Sequence, residues 1–146
     1  MKAVVCRVNA AAVRVDGQVV GEIERGLLAY IGFMQGDDAS KLPWMANKLA
    51  SLRLFPDEGG KMNRSTRDIG GRLLLVPNFT LAGETRKGNR PSFTDALDPT
   101  IARPLFEQFA AACAELVPVA TGIFGAHMII DCQCDGPITV IVDSPI

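Results

Sequence analysis

The pattern of hydrophobic and polar positions predicts four strands in the first third of the chain. Residues 2–8 and 11–15 form two buried strand-like runs, and residues 18–23 return after the hairpin dipeptide Asp16-Gly17. The run at residues 27–33 is apolar enough to be a central strand. The connections are short, so neighbouring strands can be joined by hairpins.

Two later stretches place apolar residues at helical spacing. They are Leu42, Met45, Leu49 and Leu52 in the first stretch, and Leu105, Phe109, Ala112 and Leu116 in the second. Asp37, Asp38 and Ser40 are candidate N-caps of the first helix, and Pro43 favours Ser40 because proline fits best in a first turn. Asp98-Pro99 opens the second helix, and Pro104 predicts that its regular part starts late or is kinked.

The rest of the pattern completes a mixed α/β domain. Further strands are predicted at residues 73–76, 119–121, 126–134 and 138–142, with the last two joined around Gly136-Pro137. The polar residues 61–68 are predicted to be irregular or one helical turn. With no repeat, low-complexity tract or linker, we expect a single domain over residues 1–146, with two helices against a large, mostly hairpin-connected sheet.

Composition narrows the class of protein further. The net charge is −1, so a polyanionic partner must be bound locally rather than by an overall basic surface. Met1-Lys2 leads directly into a strand and no apolar run is long enough to span a bilayer, so we expect a cytoplasmic protein without signal peptide or membrane contact. The four cysteines form no C-x-x-C pair and there is one histidine, so neither a metal site nor a cofactor is expected.

The stretch at residues 73–93 is the first candidate for chemistry. A buried strand turns polar at Pro77-Asn78 and Thr80, and the basic loop 86–90 follows. Polar groups at the end of a strand beside a cationic loop are typical of a site for an anionic substrate. An ordinary core strand followed by a solvated loop is the alternative interpretation.

A second polar apex lies near the C-terminus at residues 135–139. Gly136-Pro137 is a place where a cis peptide and close approach of backbone to a ligand are expected. The only histidine, His127, is most simply a packed or surface residue, and there is no G-x-S-x-G motif or phosphate-binding glycine loop. The residues therefore indicate a site of hydroxyl, amide and backbone groups. Arg7, the one cation in the first strand, is either an exposed-face residue or an orienting group in that site.

Five segments of the chain, taken together and in order, carry a resemblance to a known protein family. They are VVCRVNAAAVRVDGQVVGEIERGLL, LRLFPDEGGKMN, NFTLAGETRKGNRPSF, TGIFGAHM and DGPIT. With them the chain resembles the D-aminoacyl-tRNA deacylases, also called D-tyrosyl-tRNA deacylases, from end to end. The resemblance implies a barrel-like α/β homodimer with layered β/β/α architecture and an active site at the subunit interface. It also implies hydrolysis of the ester between a D-amino acid and the tRNA 3′ end.

The resemblance also assigns roles to residues. In the family a Ser-Gln-x-Thr motif faces a Gly-cisPro pair from the other subunit, and an arginine steadies that pair. The implied catalytic group is Thr80, Phe79 and Asn78; the implied substrate contacts are Gly136, Pro137, Arg7, Pro77, Thr139 and Met128; the candidate tRNA contacts are Arg86, Lys87 and Arg90, with Lys61 and Arg64 as further candidates. A solvated basic loop remains the alternative for these cations.

The chain departs from the family motif at Pro77-Asn78, where Ser-Gln is usual, and carries Ile138 where valine is usual. A related animal deacylase family of relaxed chiral selectivity also has proline at the first of these positions. The departure affects expected selectivity more than the expected reaction. It leaves two other functions open: a non-catalytic paralogue that binds the aminoacyl-tRNA 3′ end or a protein, and a different small-ester or amide hydrolase.

Overall fold

The two longest strands lie at opposite ends of the chain and pair with each other. The structure, a computed structural model, describes residues 1–146. Strand β1 (Lys2–Val15) runs antiparallel to β8 (Ile129–Asp143) along most of its length. On its other edge, β1 pairs antiparallel with β3 (Gly26–Gly32) through its first half and with β2 (Gln18–Ile23) through its second half. The first strand therefore holds both ends of the chain together.

The other half of the sheet is parallel. Strand β6 (Arg72–Pro77) lies between β3 and β7 (Val119–Thr121) and is parallel to both. Parallel neighbours need long crossovers, and these contain α1 (Leu42–Ser51) and α2 (Pro99–Ala114). The prediction of mostly hairpin connections is therefore wrong, because hairpin signals are local and do not indicate which distant strands will pair.

The central strands are buried on both faces. Leu27 and Leu73 pack in the large core with both helices, whereas Leu28 and Leu74 pack in a smaller cluster on the opposite face. All four side chains are fully buried. Adjacent residues of a strand point to opposite faces, so a continuous apolar run is what a two-sided strand requires.

The outer edges of the main sheet nearly meet. A Cβ atom at Gly21 on β2 would lie only 2.4 Å from the carbonyl oxygen of Thr121 on β7, so this approach requires glycine. The curled sheet encloses the smaller apolar cluster, and the two helices cover its outer face. The predicted barrel-like mixed α/β fold with two main helices is confirmed.

Strands β1 and β8 are each continuous, although the pattern predicted two strands for each. Their pairing register shifts between Cys6 and Val8 and again between Val8 and Ala10. A bulge changes the phase of the hydrophobic alternation without ending the strand, which explains the wrong count. The predicted start of the last pair at residue 126 is also too early, because residues 126–128 are irregular.

The helix starts also differ from the prediction. Ser40 is not the N-cap of α1: that position is Lys41, which makes no side-chain cap hydrogen bond. The Asp38 carboxylate accepts the Ser40 N–H at 2.9 Å and caps a 3-10 turn that precedes α1. Helix α2 begins at Pro99 because Asp98 accepts the Thr100 N–H at 2.8 Å, so the helix does not start late although Pro104 lies inside it.

A small hairpin replaces part of the predicted irregular segment. Strands β4 (Phe55–Pro56) and β5 (Met62–Arg64) pair antiparallel. The Asp57 carboxylate accepts the N–H groups of Gly59 and Lys61 at 2.9 and 3.0 Å, which fixes the turn between them. All three residues of β5 are exposed, so no hydrophobic alternation marked it as a strand.

Candidate active site

A tight turn follows the end of β6. The Asn78 N–H donates to the Ile31 carbonyl oxygen at 2.8 Å, which holds the chain against the end of β3. Residues 79–82 then form a 3-10 turn, in which the Leu81 N–H donates to the Asn78 carbonyl oxygen at 3.3 Å. The N–H groups of Phe79 and Thr80 donate to none of the loop, turn or cap acceptors of the chain. Two backbone donors are thus left for another group.

Two of the implied catalytic side chains are in direct contact. The Thr80 hydroxyl donates to Asn78 Oδ1 at 2.5 Å. Thr80 is exposed and Asn78 is half-buried. Because the hydroxyl proton is directed to Asn78, the lone pairs of Thr80 Oγ1 remain available to accept a hydrogen bond from a substrate or a water molecule.

A cavity of about 510 Å³ opens beside this turn. Pro77, Asn78 and Phe79 line one part of it, and Phe93 and Phe124 add aromatic surface. The Phe79 ring is 59% exposed and meets the Phe93 ring edge-on, with centroids 5.3 Å apart. An apolar cavity with a few polar groups at its edge is typical of a small-ligand site.

The second predicted apex protrudes from β8. Cys134 and Thr139 are five residues apart, but their partners on β1, Val8 and Cys6, are only two apart. The extra residues of β8 bulge out and carry Gly136-Pro137, whose peptide bond is cis and of which both residues are exposed. Gly136 has a φ of +136°, which strongly favours glycine.

Arg7 holds the base of this apex. Its Nε lies 3.0 Å from Asp135 Oδ2 and 3.3 Å from the Asp135 carbonyl oxygen. Its Nη1 also donates to the Leu54 carbonyl oxygen at 2.7 Å. The side chain is only 12% exposed, so the alternative of an exposed-face residue is wrong, and the orienting role in a site stays a prediction.

The chain does not bring all the implied residues into one cavity. Neither Gly136 nor Pro137 lines the cavity beside Phe79. Thr139 lies near β1, with its hydroxyl 3.6 Å from Cys6 Sγ. Met128 lies closer to the turn, since its side chain and that of Pro77 are both next to Gly122. A Cβ atom added at Gly122 would lie 2.6 Å from Met128 Sδ and 3.6 Å from Pro77 Cδ.

The basic loop contains both paired and unpaired cations. Arg86 Nε donates to Glu84 Oε2 at 2.7 Å, and this guanidinium lowers the pKa of Glu84 to about 2. Lys87 and Arg90 are exposed and form no ion pair. Of the further candidates, Arg64 lies 3.5 Å from the carboxylate of Glu58.

No group of three or more histidine, cysteine or acidic side chains is arranged to hold a metal ion. Neither helix is long and apolar enough to cross a membrane. His127 is exposed and does not line the cavity.

A model of one protein family, described as D-Tyr-tRNA(Tyr) deacylase, matches residues 4–143. The chain belongs to this deacylase family. A D-aminoacyl-tRNA deacylase of Carboxydothermus hydrogenoformans is 51% identical over 144 residues, which cover 98% of this chain and 99% of that protein. A D-aminoacyl-tRNA deacylase of Kosmotoga olearia is 48% identical over 144 residues, covering 99% and 97%.

Solved structures show the same fold as this deacylase family member. The c-Myc DNA Unwinding Element Binding Protein superposes with a TM-score of 0.94 at 35% identity, over 100% of both chains. A probable eukaryotic D-amino acid tRNA deacylase superposes with a TM-score of 0.82 at 16% identity, over 97% of both chains. The second likeness concerns the fold alone.

Sequence reasoning missed the aromatic walls of the cavity. Phe93 and Phe124 come from segments that carried the family resemblance, but they follow no periodic pattern. Their grouping depends on contacts between distant segments. The Arg86–Glu84 ion pair was predictable from the sequence, because side chains of opposite charge two residues apart in a loop can come into contact.

Proposed function

We propose that the protein hydrolyses the ester of D-aminoacyl-tRNA and releases free tRNA and the D-amino acid. The observation that carries this proposal is the turn at Asn78–Thr80, which presents free donors beside an aromatic cavity in a chain of the deacylase family. The proposed location is the cytoplasm, where aminoacyl-tRNA is used. No cofactor is required for this reaction.

The catalytic step needs little from acidic or basic side chains. An aminoacyl ester beside a ribose 2′-hydroxyl is already activated, so orientation and charge stabilisation supply most of the acceleration. A water molecule adds to the ester carbonyl, and the N–H groups of Phe79 and Thr80 stabilise the oxyanion. The ribose 3′-oxygen then leaves with a proton, and the 2′-hydroxyl helps to activate the water.

Thr80 positions the attacking water in this scheme. Its hydroxyl proton is directed to Asn78, so its oxygen accepts a hydrogen bond from water. A covalent ester on Thr80 is the alternative step. Mass spectrometry of enzyme denatured during turnover distinguishes them, because only the covalent step adds the aminoacyl mass to the protein.

The chirality check comes from the Gly136-Pro137 apex of a second copy of the chain. The apex is exposed, is held at its base by Arg7, and does not line the cavity of its own chain. In a homodimer its carbonyl groups receive the substrate ammonium and leave no space for an L-side chain. Such a backbone contact accepts many D-side chains and also glycine, because only the L-direction is blocked.

The cavity receives the terminal adenosine of the tRNA. Single-stranded RNA ends are bound by stacking of bases on aromatic side chains, and Phe79, Phe93 and Phe124 offer such surfaces. Lys87 and Arg90 contact phosphates of the 3′ strand, whereas Arg86 contributes less because Glu84 neutralises it.

Four substrates assayed side by side test the proposed function. They are D-aminoacyl-tRNA, the matching L-aminoacyl-tRNA, glycyl-tRNA and the free D-amino-acid methyl ester. We expect rapid hydrolysis of the first and of glycyl-tRNA, slow hydrolysis of the L-substrate, and little activity on the free ester. Binding of D-aminoacyl-tRNA without hydrolysis would instead identify a non-catalytic paralogue. This is the alternative function that the departure from the family motif at Pro77-Asn78 suggests. Equal rates on tRNA-linked and free esters would identify a general esterase.

A further inference from the structure

An arginine without an ion pair stacks on one wall of the aromatic cavity. Arg103 on α2 is exposed and forms no ion pair. Its guanidinium carbon lies 5.1 Å from the centroid of the Phe124 ring, and Phe124 lines the cavity. Arg103 itself lines an adjoining groove, which shares Phe124 with the cavity. The positive charge is therefore separated only by the Phe124 wall from the space that would hold the terminal nucleoside.

The charge of Arg103 remains available to a ligand. Glu107 follows four residues later on α2, where an i,i+4 ion pair could form. The guanidinium instead stacks on Phe124 and forms no ion pair with Glu107. A cation stacked on a ring keeps its N–H donors in the plane of the guanidinium, free to bind an anion.

The surroundings of Arg103 fix this arrangement. The Phe124 ring is supported by the buried Phe106, with centroids 6.3 Å apart. Gly125 has a φ of +79°, which favours glycine and allows the turn after Phe124, and the Arg103 guanidinium lies against this turn. A site ordered before binding loses less side-chain entropy when the ligand arrives.

We propose that the Arg103–Phe124 stack binds the phosphodiester group on the 5′ side of the terminal nucleotide of the tRNA. This rests on the proposed function, since the nucleoside must occupy the cavity that Phe124 lines. A planar guanidinium can donate two parallel hydrogen bonds to one phosphate. Arg103 lies on a different element from the basic loop at residues 86–90, so it adds a separate phosphate contact.

Two small substrates isolate this contact. They are the D-aminoacyl ester of adenosine and the same ester of adenosine 5′-monophosphate, which differ only in the phosphate. We expect the phosphate to raise kcat/KM of the full-length protein by about tenfold, mainly through KM. Arg103→Gln should abolish this advantage and leave the adenosine ester within about twofold of the parent. Arg103→Lys should recover less than half of the advantage, because lysine lacks the planar stack.

Arg72→Gln is the matched control. Arg72 is also an exposed arginine without an ion pair, but it lies at the opposite end of β6 from Pro77. This variant should keep the full phosphate advantage. The site is overturned if the parent gains nothing from the phosphate, if Arg103→Gln slows both esters equally, or if Arg103→Lys keeps the whole advantage.

Binding of adenosine 5′-monophosphate and of adenosine, measured by calorimetry, gives the same comparison without catalysis. Arg103→Gln should weaken only the phosphate-bearing ligand, and equal weakening of both ligands would overturn the site. If the parent binds the nucleotide through Arg103 but hydrolyses no D-aminoacyl ester, the proposed function fails and the phosphate site stands.

Discussion

Arg7 on β1 holds Asp135 on β8 through an ion pair of 3.0 Å between Nε and Oδ2. The same guanidinium donates to the Leu54 carbonyl oxygen at 2.7 Å, so it links three separate segments. Asp135 directly precedes Gly136-Pro137. The position of the protruding apex is therefore tied to the centre of the sheet rather than left to a loose loop.

Replacing Arg7 should impair turnover through the apex. Arg7→Gln removes the link and leaves the Asp135 carboxylate without its partner. We expect kcat/KM for D-aminoacyl-tRNA to fall by about ten- to a hundredfold. Arg14→Gln is the control, because Arg14 also bridges β1 and β8 through a 3.0 Å pair with Asp131, but both side chains are largely exposed. If both variants lose activity equally, Arg7 has no special role at the apex.

Mixed dimers test whether the site is shared between subunits. Thr80→Val removes the hydroxyl that contacts Asn78, and Gly136→Ala places a Cβ atom 2.5 Å from the Ile138 nitrogen. Each variant alone should be inactive. After unfolding and refolding together, half of the dimers are mixed and each has one intact site, so about a quarter of the parental activity should return. No recovery, or a fully active monomer at micromolar concentration in light scattering, would contradict the shared site.

The sequence predicted local structure better than long-range pairing. Continuous apolar runs predicted β3 and β6 as buried strands, and apolar residues at helical spacing predicted both helices. The parallel pairing of β3 with β6 had no local signal, because partners of parallel strands are decided by packing across the whole domain. The sequence pattern predicts a strand break at the bulge of residues 135–138. The continuity of β8 depends on its pairing with β1, which lies more than a hundred residues away in the chain.

The candidate site was predictable in part. Asn78, Thr80 and Gly136-Pro137 were chosen as polar groups at strand ends, and the structure places them at the β6 turn and the β8 apex. The Thr80–Asn78 hydrogen bond and the aromatic cavity could not be predicted, because they depend on side-chain orientation and on segments far apart in the chain. Arg103 was missed, since an arginine within a helix is usually a solvated residue.

Salt dependence should separate the cations of the basic loop. If about three phosphates of a single strand are neutralised, log K for tRNA should fall with log[salt] at a slope of about −2. Lys87→Gln and Arg90→Gln should each make the slope shallower by about 0.7. Arg86→Gln should change it less, because Glu84 already neutralises Arg86. Fluorescence anisotropy with labelled tRNA measures the slopes, and an unchanged slope in all three variants would exclude the loop.

A buried ion pair near the N-terminus should control stability at acidic pH. Asp37 accepts from the Met1 amino group at 2.7 Å and from Lys41 Nζ at 2.7 Å. Burial alone would raise the pKa of Asp37, but the hydrogen bonds from Lys41 and the Met1 amino group outweigh it and lower the pKa. Asp37→Asn should reduce the free energy of unfolding by about 2–3 kcal/mol at pH 7, because it leaves the buried amino group without a counter-charge.

The sign of the pH effect follows from the lowered pKa. The ion pair stabilises the fold above the unfolded-state pKa of about 4, and this stability is lost as pH falls through the lower folded-state value. The difference in unfolding free energy between the parent and Asp37→Asn, measured by urea titration, should therefore shrink as the pH falls below about 4. Asp143→Asn is the control, since Asp143 is exposed and 3.7 Å from Lys2, and should cost about 0.5 kcal/mol or less. A constant difference between the parent and Asp37→Asn from pH 7 to pH 3 would contradict the assignment.

The last prediction concerns Pro77-Asn78, where the chain departs from its family's usual Ser-Gln. Proline has no N–H and a fixed φ, and asparagine is one methylene shorter than glutamine. Asn78 Oδ1 accepts a hydrogen bond from the Thr80 hydroxyl, so Asn78 also orients that side chain. Pro77→Ser with Asn78→Gln should therefore keep D-substrate turnover and alter discrimination between glycyl, D- and small L-substrates. We expect the kcat/KM ratios to shift by about tenfold or less, ~1.4 kcal/mol.

Gly136→Ala provides the contrast for this double variant. It should be far more damaging, because the added methyl group collides with the backbone of Ile138 and occupies the space proposed for the substrate ammonium. Single-turnover assays with the three substrate classes compare the two variants directly. If the parent is inactive and only the Ser-Gln pair confers hydrolysis of D-aminoacyl-tRNA, then the present chain binds aminoacyl-tRNA without acting on it, and the proposed enzymatic function is wrong.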